Sequence, residues 1–124
     1  MAKIEKFEDI EAWQKARKLN SEIYRITNNS VFSKDFALRD QIRRSSISIM
    51  ANIAEGFGRR GDKEFKQFLN IAHGSAAELQ SHIYVALDLQ YINQNEFSDI
   101  YKTIEEISKM LQAFKNYLMK SQGV

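Results

Sequence analysis

From Phe97 to Leu118 the apolar residues Phe97, Ile100, Ile104, Ile107, Leu111, Phe114 and Leu118 stand 3, 4, 3, 4, 3 and 4 positions apart. Such an alternation puts every one of them on a single stripe of an α-helix, over three heptads, and a strand would scatter them to both faces. A chain that opens a stripe this long must cover it with other helices. The rest of the sequence supplies them. It contains no proline and five glycines, so little interrupts helical runs.

Phe65, Leu69, Ala72, Ala76, Leu79, Ile83 and Ala86 repeat the same spacing. Ile42, Ile49 and Ile53 do so more sparsely, and Ala12, Ala16, Leu19, Ile23 and Ile26 form a fourth stripe. The pattern predicts one domain of four helices, roughly 7–27, 34–55, 62–90 and 96–119, with Ser33, Asp62 and Asn95 as N-caps. The links are short, which makes sequential helices antiparallel neighbours. The expected fold is all-α, an up-down-up-down four-helix bundle of 124 residues. The final SQGV is expected to fray.

Two helices carry more apolar surface than one core requires. Beside the seam of the third helix runs a second stripe, Phe68, Ile71, Ser75, Glu78, His82, Val85 and Leu89, about 110° round at 100° per residue. The second helix has Phe36, Ile47, Met50 and Ala54 similarly displaced. Either the helices pack deeply enough to use both faces, or the second stripes are buried between subunits. The second reading makes Phe36, Ile47, Met50, Phe68, Ile71, His82, Val85 and Leu89 an oligomer interface.

The link between the second and third helices reads GFGRRG, the G-x-G-x-x-G spacing of dinucleotide-binding loops. That motif needs a preceding strand in a parallel sheet. Ser46-Ile47-Ser48-Ile49 alternates like a strand, but Ile42, Ile49 and Ile53 hold helical phase through it. A turn explains the glycines better, with Gly56 as a left-handed helix C-cap and Gly58 and Gly61 allowing the reversal. Folding about it brings Ser45, Ser46 and Ser48 opposite Ala72, Gly74, Ser75, Ala76 and Ala77, with Glu78 near Gln41 and Arg44 and Glu55 near Lys63 and Arg59. Gly74 lies mid-helix at a cost of about 1 kcal/mol, so a packing or contact reason is expected.

The chain has 18 basic and 16 acidic residues, a net charge of +2. Between positions 39 and 66, Arg39, Arg43, Arg44, Arg59, Arg60, Lys63 and Lys66 face only four acids. This local excess is either a solvated face or a surface for phosphates, which gains affinity by counterion release.

With no cysteine there is neither disulfide nor thiolate chemistry, and His73 and His82 are too few for most metal sites. Glu78 and His82 share a face, and with Glu55 they make a metal-dependent enzyme conceivable. The Glu-x-x-His pairs of di-iron bundles are absent, however, and an interface hydrogen bond explains the pair. Asn52 and Glu55 could orient a water but have no nucleophile beside them, which favours a polar network at a helix end. No enzyme, cofactor or small-molecule substrate is expected. The N-terminus MAKIEKFEDIEAW does not read as a signal peptide and no run approaches a membrane span, so the expected location is cytoplasmic, with no membrane partner.

The stretch NIAEGFGRRGDKEFKQFLNIAHGSAAELQSHI, with FEDIEAWQKARKL and LRDQIRRSSISIMANIAEG before it, resembles the four-helix bundle proteins encoded by 23S rRNA intervening sequences, formerly called S23 ribosomal proteins. The Asn-Ile-Ala-Glu-Gly and Gly-Ser-x-x-Glu-Leu elements carry the resemblance. Such proteins often have proline before the second helix and ahead of Asn-Ile-Ala-Glu-Gly, where this chain reads SVFS and Ser48-Ile49-Met50-Ala51. The resemblance implies a bacterial up-down bundle assembled as a ring, typically a homopentamer. It also relates the chain to the accessory protein of diversity-generating retroelements, a basic pentamer that engages a reverse transcriptase and nucleic acid. It supplies no catalytic residue; Asn52, Glu55, Gly56, Arg59, Gly74, Ser75 and Glu78 match as signature positions. The implied function is a non-enzymatic, RNA-associated bundle. The alternative is a protein-interaction scaffold that does not touch nucleic acid directly.

Overall fold

A computed structural model describes residues 3–121. The SQGV end beyond Ser121 lies outside them. Among the described residues there are four α-helices and no strand: α1 (Glu11–Thr27), α2 (Phe36–Gly58), α3 (Asp62–Asp88) and α4 (Gln94–Ser121). Short 3-10 turns at Phe7–Asp9 and Phe32–Lys34 precede α1 and α2.

The seams read from spacing form the core. Ile42, Ile49 and Ile53 of α2 meet Leu69, Leu79 and Ile83 of α3, Ile104, Ile107 and Leu111 of α4, and Leu19 and Ile23 of α1, all closed to solvent. Burying a side chain of this size contributes about 1.5–3 kcal/mol. Phe114 alone of the α4 seam is half-buried, packing on the core from its edge. Three core residues belong to no seam: Ile10, Phe32 and Ile92 plug the ends from the connecting segments.

The caps differ from the expected ones. Asp35, not Ser33, caps α2, its carboxylate accepting from the Leu38 N–H at 3.1 Å. Ser33 sits in the 3-10 turn before it. Asn93, not Asn95, opens α4 with a reciprocal box, in which the Glu96 N–H donates to Asn93 Oδ1 at 2.8 Å and the Asn93 N–H to Glu96 Oε1 at 3.0 Å. Gly61 takes the α3 cap position without a side chain, and Asp62 is the first helical residue, placed for the dipole.

One end of the bundle is knotted by two residues. Asn29 accepts from the Val31 and Phe32 N–H groups and donates to the carbonyls of Ile26 and Tyr91. The Tyr91 hydroxyl donates to Asp35 at 3.0 Å, and this bond raises the Tyr91 pKa above its ordinary value. The α1–α2 loop, the α3–α4 link and the start of α2 are thereby joined.

Candidate nucleic-acid interface

The GFGRRG turn closes the opposite end, and its glycines do different work from that expected. Gly56 is not a left-handed cap; it lies buried inside α2. A Cβ built on it would stand 2.7 Å from the Phe68 Cβ and 2.9 Å from Phe65 Cδ1. The glycine is there because α3 crosses α2 at that point too closely for any side chain. The left-handed residue is Arg60, at φ 61°, with its N–H donating to the Phe57 carbonyl at 3.3 Å. Gln90 takes the same conformation after α3, where the Tyr91 N–H donates to the Ala86 carbonyl. Both helices use a long polar residue where glycine would relieve about 1–2 kcal/mol of strain.

The seven basic residues do not form one patch. Arg43 on α2 and Arg59, the residue that caps its end, are 16 positions apart, about 24 Å along the axis. At the knotted end, Arg39 pairs with Asp40 at 3.0 Å and lies over the Phe36 ring. Arg43 donates to the Thr27 hydroxyl at 2.8 Å and covers Tyr24, its guanidinium carbon 4.4 Å from the ring centroid. Arg39 also donates to the Ser33 carbonyl at 3.1 Å, so each of the two ties α2 to a neighbouring segment. Arg44 is exposed on the middle of α2. At the turn end, Arg59, Arg60 and Lys63 are exposed and Lys66 is half-buried. Arg59 reaches the Glu55 carboxylate at 3.0 Å and also covers Phe68 at 5.2 Å. Glu55 therefore turns to its own helix, and no ion pair joins it to Lys63 among the described residues.

Between α2 and α3 runs a line of hydrogen bonds. Ser45, buried, donates to Glu78 Oε1 at 2.6 Å. The Ser48 and Ser75 hydroxyls share a bond of 2.8 Å, and Asn52 donates to the Ser48 carbonyl at 2.8 Å and to its hydroxyl at 3.0 Å. These pairings run in opposite senses along the two helices, so α2 and α3 are antiparallel. Asn52 and Ser75 thus meet through Ser48, Glu78 pairs separately with Ser45, and Glu55 and Arg59 form a third pair. Gly74 has no such role: it is exposed, and a Cβ there would meet nothing within 4 Å. No packing reason for this glycine exists among the described residues.

The surplus apolar stripes remain open. Ile71 and Leu89 expose about half their surface, 51% and 50%, and Phe36 exposes 64%. Ile47 and Val85 are exposed as well, while Met50, Phe68 and His82 are half-buried. His82 Nδ1 is shielded and without a partner, and so is the Ser46 hydroxyl. No cluster of metal-ligating side chains occurs among the described residues, and no helix there is long and apolar enough to cross a membrane.

A region that spacing did not single out lies between α3 and α4. Tyr84, Phe97 and Tyr101 pack ring to ring, with centroids 4.7, 5.6 and 5.9 Å apart. Tyr101 has its pKa raised, first by burial and then by Tyr84 and Glu105, so the phenol stays neutral well past ordinary pH. The signal was present in the sequence as Tyr84 and Tyr101, but each falls off its helix's core stripe.

A solved structure shares the architecture. It is a protein of unknown function from the S23 ribosomal protein family of Bacteroides thetaiotaomicron VPI-5482, 28% identical, covering 84% of this chain and 97% of its own, with a TM-score of 0.77. No curated protein matches the chain significantly. The family profile described as 23S rRNA-intervening sequence protein matches residues 8–113, from the first turn through most of α4, and the chain belongs to that family.

Proposed function

We propose that this chain is a non-enzymatic up-down bundle of the bacterial cytoplasm that assembles with copies of itself and associates with RNA. The observation carrying the RNA reading is the turn end, where Arg59, Arg60, Lys63 and Lys66 fall within about two helical turns on either side of one tight link. Repeated around a ring, a patch of this size gains by multivalency what it lacks singly.

The assembly reading rests on two different apolar patches. Phe36 and Ile47 lie on the flank of α2 turned toward α1, the side on which Arg43 meets Tyr24 and Thr27. Ile71, Val85 and Leu89 lie on the flank of α3 beyond the serine line. Two unlike patches on separate flanks suit head-to-tail contacts, which close into rings such as the pentamer the family resemblance implies. The exposed Gly74, beside Ile71, leaves room there for a neighbour's backbone or side chain. A monomer by light scattering at micromolar concentration overturns the assembly.

For the RNA reading, binding of structured RNA should fall steeply with salt. Changing Arg59 and Arg60 to glutamate should weaken it at least tenfold and flatten the salt dependence by about two phosphate contacts. Affinity indifferent to both salt and the substitutions overturns it. The scaffold reading is favoured by a specific observation: Arg39, Arg43 and Arg59 are already engaged by groups of the chain itself. Under it, a protein such as a reverse transcriptase meets the bundle directly, and co-purification survives nuclease treatment.

A further inference from the structure

The groove between α3 and α4 sets an open cluster of aromatic rings beside several lysines. Its register is set by Lys115, which donates to Asn70 Oδ1 at 3.1 Å, by Gln80, which donates to Glu105 Oε1 at 3.2 Å, and by the Tyr84–Phe97–Tyr101 stack. Starting from the turn, the face passes Lys66, then Lys115 beside Asn70, then the small pair Ala77 and Ser108, and ends on Tyr84 and Tyr101. Lys102 and Lys109 form its outer edge on α4, beside a hollow of about 520 Å³ that Phe97 and Tyr101 also line.

Of the two acids in this hollow one is paired with a cation and the other, exposed, keeps its charge. Glu105 accepts from Gln80, and Glu106 is bound at 2.6 Å by Lys15 of α1. Neither Lys102 nor Lys109 is ion-paired among the described residues, and both are exposed. Phe97 is 8% exposed and suffices to pack the two helices, whereas Tyr84 keeps 48% of its surface open. An open tyrosine backed by two other rings, beside a line of lysines, is the combination on which unpaired bases stack while phosphates are neutralised. A duplex has no unpaired base to offer it.

We infer that the α3–α4 face binds single-stranded RNA, with bases stacked on Tyr84 and Tyr101 and the backbone held along Lys102, Lys109, Lys115 and Lys66. The inference rests on the RNA association proposed above and names the form of RNA. From Lys66 to Tyr84 the face runs about 27 Å, a length for a site at the short end of the ~4–16 nucleotides that single-strand modules cover. The face starts at the basic turn, so a strand leaving Arg60 and Lys63 continues onto it along Lys66 and Lys115, with the exposed Glu105 met only near the tyrosines.

The test measures binding of a fluorescein-labelled oligouridylate of about 12 nucleotides, and of an RNA duplex of equal length, to the full chain. Tyr84→Leu with Tyr101→Leu should weaken strand binding at least tenfold and leave duplex binding unchanged. Tyr84→Phe with Tyr101→Phe should retain strand binding, because the ring rather than the hydroxyl stacks. Lys102→Glu with Lys109→Glu, which alters no core residue, should weaken strand binding even if the leucine variant proves misfolded by circular dichroism. Strand affinity unaffected by the lysine pair, or a duplex bound more tightly than the strand, overturns the inference. If only Arg59→Glu with Arg60→Glu abolishes binding, this inference falls and the basic turn stands. If the unaltered chain binds neither RNA, both fall.

Discussion

Helix α3 meets its two neighbours in different ways. Toward α2 it presents Ala72, Ser75 and Ala76, and α2 answers with Ser45, Ser48 and Gly56, so the backbones come close and the contact is held by hydrogen bonds. Toward α4 it presents Phe65, Tyr84 and Gln80, and α4 answers with Phe97, Tyr101 and Phe114. This second contact is made by large rings rather than by small residues and hydroxyls. The first contact tolerates no added atom. The second tolerates change at its rim, which is where a surface is free to acquire a function.

The comparison is tested most sharply at Gly56. Alanine there gains about 1 kcal/mol of helix propensity, but its methyl meets the Phe68 Cβ, which cannot swing away. A net loss of about 1–3 kcal/mol is expected in urea denaturation, and unchanged stability would show that α2 and α3 are not in tight contact. Gly74 on the same helix should behave oppositely. With nothing near its Cβ position, Gly74→Ala should stabilise the isolated chain by up to about 1 kcal/mol. If copies pack against that surface, the same change should weaken their association in light scattering. A smaller effect belongs to the far side of α4. The Lys15 ammonium, by hydrogen bond and charge, holds the Glu106 carboxyl below its ordinary value, with lesser help from Lys102 and Lys109. Such a group contributes above the ordinary carboxylate value and loses the contribution as pH falls through its lower folded one. The melting temperatures of the parent and Lys15→Met should therefore differ slightly near neutrality and converge in strong acid.

The four helices were legible because each carries an apolar stripe at helical spacing, sparse only in α2 where Ser45 and Ser46 fall in it, and local spacing alone determines where it lies. The caps were not. Ser33 and Asp35 offer similar side chains two residues apart, as do Asn93 and Asn95. Which one caps depends on where the incoming chain turns, and the Tyr91 hydroxyl on Asp35 comes from 56 residues away. Gly56 was misread for a related reason. A glycine following a helical run looks like a terminator, and only the position of Phe68 on another helix shows that it is a contact. The meeting of Ser48 with Ser75 follows from small residues facing small residues across the turn, but Glu78, expected beside Gln41 and Arg44, bonds Ser45, and Gly74 faces outward. The lysines and tyrosines of the α3–α4 face were hidden because they are interleaved with acids in sequence and assemble only when two helices lie side by side.

Arg60 has one more consequence. Its backbone is fixed on one side by the end of α2, through the Phe57 carbonyl, and on the other by the start of α3. An arginine on an ordinary loop must surrender main-chain as well as side-chain freedom when an anion captures it. Here the main-chain share has been surrendered during folding, so the strain of a left-handed arginine is also a form of preorganisation.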